Sequence, residues 1–367
     1  MKNILITGAG GFIGSHIAEF YSKNEEVEEI ILIDNLSRMK LLNRDDKNTQ
    51  YNWDYLSKFS NFELYDYVSN SNLNKFKFYE NDIRDFNFLK NLIKTKEIDV
   101  IFHTAAQTAV TTSLTNPIND FQNNVIGTFN LLESARLSNY DPIMILCSTN
   151  KVFGNNVNNC NIVEKQYKYI FDEDFSSGIN EVFPIDLCEH TPYGTSKLCS
   201  DLYFQEYGHT YGLKTGVFRM SCIYGTRQFG VEDQGWVAHF IISAILGKKI
   251  KIFGDGKQVR DVLYITDLVN AFDSYIKKAN QIKHNVFCMG GGIYNTISLL
   301  ELIYMLKKLL NKEIKFEFQE WRLSDQKVYI SDIKKAKYLL KWFPKINPEQ
   351  GINKLVDWVK INKNLFM

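Results

Sequence analysis

Tyr193 and Lys197 stand four residues apart in the run Tyr193-Gly194-Thr195-Ser196-Lys197. On a helix that spacing puts both side chains on one face. A free phenol loses its proton near ~10 and is a poor base at neutral pH. A lysine ammonium beside it, together with the positive ring of an oxidised nicotinamide, favours the phenolate. Tyr193 then becomes a base that can take a hydroxyl proton while hydride leaves the same carbon. By itself this spacing marks no more than a solvated helix face. A second group gives it weight: Cys147-Ser148-Thr149-Asn150-Lys151-Val152-Phe153-Gly154 closes an apolar run. A hydroxyl such as Thr149 at a strand end can share the substrate proton with the tyrosine.

The N-terminal run Thr7-Gly8-Ala9-Gly10-Gly11-Phe12-Ile13-Gly14 carries a second kind of chemistry. Gly8, Gly11 and Gly14 allow a tight turn and let backbone N–H groups, with Phe12 and Ile13 opening the next helix, approach a pyrophosphate. Twenty residues after Gly14, Asp34 ends the second apolar run, followed by Asn35. A carboxylate there accepts hydrogen bonds from the hydroxyls of an adenosine ribose and repels a 2′-phosphate. This favours NAD, while Arg38 nearby keeps NADP open. Asp82 and Ile83 are placed to meet the adenine. Thr104, Ala105 and Ala106 are small enough to let the cofactor pass. His103, ending an apolar run, reads as structural.

These groups need a scaffold that brings strand ends together. Apolar runs at 3–7, 29–33, 75–79, 100–103, 143–147 and 215–219 alternate with helical patterns at 14–24, 86–94 and 119–137. Such alternation predicts an α/β fold, a Rossmann-type doubly wound parallel sheet. The polar stretch at about 38–74 breaks the rhythm and reads as an insertion, with a short helix at 51–59. After 220 a smaller mixed α/β substrate-binding lobe is expected, with helices at 235–246, 298–310 and 348–360 and a strand at 250–253. The cofactor domain is thus 1–220, the substrate lobe mainly 221–367. The stretch at about 155–190 is open to either, and a strand at 285–289 returns to the sheet.

Composition excludes several roles. Lys and Arg total 43 against 42 Asp and Glu, a net charge of +1. Nucleic-acid binding is disfavoured, because phosphate neutralisation asks for a basic excess. No run nears the roughly 20 apolar residues of a membrane span, and the N-terminus does not read as a signal peptide. The 6 cysteines show no paired spacing, which argues against a metal site and for reduced thiols in the cytoplasm.

Taken together, the glycine turn, the strand end at 148–154 and the Tyr193/Lys197 pair resemble the extended short-chain dehydrogenase/reductase superfamily, and within it the nucleotide-sugar epimerases and dehydratases. The resemblance covers nearly the whole chain outside about 40–74. It implies a catalytic trio of Thr149, Tyr193 and Lys197, with Asn124 as the superfamily's buried asparagine. The dehydratases place Asp-Glu after the threonine to expel water, whereas this chain has Asn150-Lys151. Epimerisation, or a net oxidation or reduction, remains. A finer resemblance is to the branch that inverts C2 of CDP-linked 3,6-dideoxyhexoses. It rests on 148–152, 233–237, 254–263 and 324–328, and on Gln107, Thr111, Thr112 and Ser113 before Asn116-Pro117. Phe153, where that branch usually has Tyr, is a departure and is expected to pack beneath the cofactor.

The resemblance implies that Tyr193 takes the C2 hydroxyl proton while tightly held NAD takes the hydride. The keto sugar turns, and both are returned to its other face. Arg260 and Arg322 are implied for the diphosphate, as guanidinium forks suit it. Asp325 is implied for the nucleotide ribose or for Arg322, and Trp236, Gln234, Asn150 and Arg227 for the substrate. A UDP-sugar 4-epimerase shares the same trio, and an NAD-binding regulator without turnover is the non-enzyme alternative. Relatives pair through two helices, so a homodimer or homotetramer is expected, with Phe129, Leu132, Tyr203 and Phe204 as contacts.

Overall fold

The computed structural model describes residues 1–37, 47–59, 75–322 and 325–367. Arg38 and most of the insertion lie outside the described residues. Seven parallel strands form the central sheet, in the spatial order Asn285–Met289, Lys214–Met220, Ile143–Thr149, Val100–His103, Asn3–Thr7, Glu29–Asp34, Phe76–Glu80. The chain starts mid-sheet, winds to one edge, then crosses back and winds the other way. The crossover sets the ends of the first and fourth strands side by side, leaving a crevice for a dinucleotide.

Burial explains why the strands read as continuous apolar runs. Ile4, Ile6, Ile30, Leu32, Phe102 and Ile145 point into one core. Leu5, Ile31, Ile33, Ile101, Met144 and Leu146 point into another on the opposite face. Alternate residues are thus buried on both sides, as in a sheet covered by helices on both faces. The first core takes the helix Phe12–Ser22 and extends into the second lobe. The second takes the helices Phe86–Lys96 and Gly127–Arg136 and part of Thr191–Tyr211.

The helix expected over 119–137 runs without a break from Pro117 to Arg136 but changes register on the way. A short helix Pro117–Phe121 leads into a π-helical turn, Gln122–Ile126, before Gly127–Arg136 continues. A Cβ at Gly127 would come within 2.4 Å of Ile83 Cδ1, so glycine lets this helix lie against the loop after the third strand.

In the second lobe, Cys222–Tyr224, Val259–Tyr264, Thr296–Ser298 and Val328–Tyr329 form a small mixed sheet, and Ile250–Phe253 pairs with Phe316–Gln319. The segment 155–190 contributes a hairpin, Ile162–Glu164 with Tyr169–Phe171. It shares a third core with Val259, Val328 and Tyr329. Phe153 is wholly buried in that core, edge-on to Phe183, stacked on Tyr329 and under the Arg219 guanidinium. It packs between the lobes in this third core.

Part of the insertion forms the helix Lys47–Ser57. Trp53 is buried against Gly10, and Asn52 Nδ2 donates to the Gly10 carbonyl at 3.0 Å. Tyr51 meets Phe229 and Trp358, so the same helix touches the C-terminal part of the chain.

Candidate active site

The glycine turn is shaped by close backbone approach. Gly8 has φ +68°, and a Cβ there would lie 2.7 Å from the Ala105 nitrogen. The first and fourth strand ends are therefore drawn together, and Thr104 Oγ1 donates to the Thr7 carbonyl at 2.6 Å. A Cβ at Gly14 would meet the Gly8 oxygen at 2.5 Å. Asp34 holds its carboxylate at the turn, accepting from the Gly10 N–H at 3.0 Å and the Leu36 N–H at 2.9 Å.

Asp82, expected to meet the adenine, is held by two side-chain donors. Asn35 Nδ2 and the Arg84 guanidinium both donate to it, at 2.8 and 2.7 Å. Burial pushes its carboxyl up, but these donors win and hold it at about 2. His103 is structural, as its place in the sequence implied: its ring nitrogens bond the Thr7 and Thr128 hydroxyls, both at 2.9 Å.

Tyr193 and Lys197 rise from the first turns of the helix Thr191–Tyr211, which opens with Pro192. The Ser113 hydroxyl accepts from the Tyr193 N–H at 3.1 Å and donates to the Val110 carbonyl. It thus ties the helix start to the loop after the fourth strand. Burial pushes the Tyr193 phenol up to about 12, and Thr149 acts on it in the opposite direction. Burial lowers the Lys197 ammonium, against the pull of Cys147, Asp201 and Asp120. At about 12 the phenol keeps its proton at neutral pH in the protein by itself. That leaves the second positive charge of the expected pair, the oxidised nicotinamide, to complete the activation.

The π turn has a purpose here, as such turns often do at functional sites. It presents Asn124, whose Oδ1 accepts from the Gln107 N–H at 2.8 Å. Its Nδ2 donates to the Gln107 carbonyl at 3.1 Å and Ser196 Oγ at 2.9 Å. Gln107 Nε2 donates to Asp120 Oδ1 at 2.8 Å. Asp120 was missed at the level of sequence. Burial raises its carboxyl, and it acts on both Tyr193 and Lys197. The available signal was its place four residues before Asn124, on the same helical face.

Where the sequence placed the sugar, Asn150 is buried beside Thr149, and Thr112 is half-buried. Arg260 donates to Asp325 Oδ1 at 2.8 Å, so Asp325 holds Arg260 rather than Arg322. Arg322 lies over the Phe253 ring and pairs with Asp233 at 3.1 Å. Lys151 lies in the same charged group: burial brings it down to about 8, with Asp325 pulling up and Arg260 down. Trp236 Nε1 donates to Cys222 Sγ at 3.2 Å, and Gln234 sits half-buried in the preceding turn. Arg227 turns one nitrogen to Glu19 and leaves Nε and Nη2 without a hydrogen-bond partner among the described residues. It is buried, pairs with Glu19 at 2.7 Å and lies 4.0 Å from the Tyr55 ring centroid. The insertion helix supplies a ring partner that the sequence did not reveal.

The cofactor elements fit one another. Gly8–Gly14 would hold a pyrophosphate, Asp34 a ribose, and Lys197 the nicotinamide ribose. Lys197 is 3% exposed, and among the described residues its ammonium has no hydrogen-bond acceptor. A dinucleotide sheet with a tyrosine, lysine and threonine converging at its crevice defines a nicotinamide-dependent short-chain dehydrogenase/reductase scaffold. The chain belongs to the NAD dependent epimerase/dehydratase family, whose model matches residues 4–295, and it is an enzyme that uses NAD. It is 38% identical over 366 residues to the CDP-paratose 2-epimerase of Salmonella typhi, covering 97% of this chain and 98% of that one. It is 32% identical over 368 residues to a UDP-glucuronate 4-epimerase of Thermodesulfobacterium geofontis, covering 100% and 98%. Among solved structures it resembles the UDP-glucuronic acid 4-epimerase of Bacillus cereus, determined with UDP-glucuronic acid and NAD. The TM-score is 0.78 at 27% identity, covering 98% of this chain and 99% of that one.

Proposed function

We propose that this enzyme inverts C2 of a CDP-linked 3,6-dideoxyhexose, interconverting CDP-paratose and CDP-tyvelose, as a cytoplasmic step in surface-polysaccharide precursor synthesis. The observation that carries the reading is the pair after the catalytic threonine: an amide at Asn150 and an ammonium at Lys151, where a dehydratase places two acids. Neither supplies a carboxylic acid to a leaving hydroxyl. The likeness to the Salmonella enzyme supports C2 and CDP.

Bound NAD supplies the acceptor, and later the donor, of the hydrogen on the sugar carbon. Tyr193 takes the hydroxyl proton and returns it, with Thr149 acting to lower its phenol. Lys197 holds the ribose and adds positive charge. Arg260 and Arg322 would anchor the diphosphate, each exchanging a carboxylate partner for it. An anchored nucleotide lets the sugar turn without leaving.

The second reading, C4 inversion of a UDP-sugar, is favoured by the 4-epimerase relative. Purified enzyme is given CDP-paratose, CDP-tyvelose and UDP-sugars in heavy water without added cofactor. Interconversion of the CDP pair with no deuterium on carbon is expected. Turnover of UDP-sugars alone would replace the substrate; deuterium at carbon would remove the mechanism.

We also propose a homodimer or homotetramer built on the helices 117–136 and 191–211. Phe129 and Tyr203 are exposed and in mutual contact there. Leu132 and Phe204, expected to join them, are wholly buried in the sheet-covering core.

A further inference from the structure

We propose that Lys151 is a further anchor for the substrate's diphosphate, holding it from the end of the catalytic strand while Arg260 and Arg322 hold it from the substrate lobe. That role requires a nucleoside diphosphate-sugar as substrate, as proposed above, but no particular base and no particular inverted carbon.

The backbone that carries Lys151 is fastened to both lobes. On the catalytic side, its N–H donates to Thr149 Oγ1 at 3.3 Å. A Cβ at Gly194 would lie 2.9 Å from its carbonyl oxygen, so glycine lets the catalytic helix press on it one residue from Tyr193. On the other side, Asn150 Nδ2 donates to Gln326 Oε1 at 3.0 Å. Gln326 is 0% exposed, and its Nε2 donates to the Gly154 carbonyl at 2.9 Å. The Gln326 N–H donates to Asp325 Oδ1 at 3.0 Å, the oxygen that also takes Arg260. Lys151 is thus held between the helix of the catalytic base and the segment that holds Arg260.

The charged and titratable groups that act on its ammonium come from the substrate lobe: Asp325, Arg260 on the strand Val259–Tyr264, and Cys222 at the start of Cys222–Tyr224. Burial pushes the Cys222 thiol up, so it stays neutral, and it accepts from Trp236 Nε1 at 3.2 Å. Two cations therefore share one carboxylate, and that carboxylate already gives an oxygen to Arg260. Burial brings the Lys151 ammonium down to about 8, with Asp325 opposing and Arg260 adding to the fall. Such a group lacks negative charge, and a diphosphate supplies it.

An anion beside the ammonium favours its charged form. The filled site then holds a proton that the empty site has partly lost. Binding takes that proton from the buffer, and affinity falls as pH rises past about 8. Arginine anchors alone would give no such dependence, because a guanidinium stays charged throughout.

The test is calorimetric titration of the NAD-loaded enzyme with CDP-glucose and, separately, with UDP-glucose, each in two buffers of different ionisation enthalpy. The esterified diphosphate of either probe does not titrate in this range. Near pH 8.5 the parent should take up about half a proton or more per ligand bound. Lys151→Arg should bind with no uptake, and its affinity should stay level between about pH 7.5 and 9. Lys151→Met should bind about tenfold or more weakly near pH 7.5, and take up nothing. Parent-like affinity in Lys151→Met, or full proton uptake in Lys151→Arg, would overturn the proposal. If Lys151→Met does not fold, the proton count in Lys151→Arg decides alone. Binding of UDP-glucose but not of CDP-glucose would remove the CDP reading and leave the proton count readable, so the two claims fail separately.

Discussion

Asp201 offers a quantitative test of what holds the catalytic elements in register. It lies on the Tyr193 helix, one turn beyond Lys197, and is 0% exposed. Ser148, next to the catalytic threonine, donates to it at 2.8 Å, and Gln205 donates to it at 2.6 Å. Arg219, on the neighbouring strand, donates from Nε and Nη2, both at 3.0 Å, in a fork. The fifth strand, the sixth strand and the catalytic helix thus meet on one carboxylate. With side-chain exposures of 4% and 0%, neither ion can fall back on water when the other is lost. Removing one partner of such a buried pair costs about 3–5 kcal/mol, because the survivor stays charged and unpaired. Asp201→Asn keeps the shape and removes the charge. For a chain of this size each kcal/mol moves the melting temperature by roughly 2 °C, so a drop of about 6–10 °C is expected. The assay is reversible urea unfolding with a thermal scan. The double change Asp201→Leu with Arg219→Met should recover much of the loss, since it leaves no lone charge. A single variant within about 1 kcal/mol of the parent, or a double variant no better than the single, would refute the reasoning.

Further outcomes are expected from other parts of the molecule. Tyr193→Phe should cut turnover by about 10²–10⁴-fold, the usual contribution of a general base, while NAD stays bound; cofactor content and steady-state rates check this. Trp53→Ala empties the space against Gly10 and should weaken NAD retention roughly tenfold, read as nucleotide released from purified protein, at a local cost of about 3–5 kcal/mol. His16 and His103 are buried, and burial holds each down at about 3, below their ordinary 6.5. The stability gained from keeping them neutral is present above pH 6.5 and is lost as pH falls toward 3. Each adds about 1.4 kcal/mol per pH unit in that window. His103→Gln should flatten the slope of unfolding free energy against pH; an unchanged slope between pH 6 and 4 would contradict it.

The sheet was legible because its strands are buried on both faces: Ile4-Leu5-Ile6 and Ile30-Ile31-Leu32-Ile33 have no polar alternation to confuse the reading. The placing of Tyr193 and Lys197 on one helix was legible because their spacing is local, and that of Thr149 because it ends an apolar strand. The π turn was not, because its register depends on Asn124 reaching Gln107 and Ser196, the latter 72 residues away. The ion pair of Arg227 was hidden for the same kind of reason: Glu19, its carboxylate partner, is 208 residues distant in sequence. Gln326 carried no chemical signal until Gly154 and Asn150 appeared on either side of it.

The position of Asn285–Met289 in the sheet has a consequence for how the protein is made. This strand pairs in parallel with Lys214–Met220, and both lie on the far side of the cofactor crevice. A ribosome must therefore emit the first part of the substrate lobe, residues 221–284, before the nucleotide-binding sheet can be finished. Until residue 289 has left the exit tunnel, the N–H and C=O groups along one side of Lys214–Met220 have no strand to bond. A bare edge of this kind invites pairing with another chain. The nascent polypeptide thus passes through a stage at which its largest sheet is one strand short, and a chaperone would find its clearest target there.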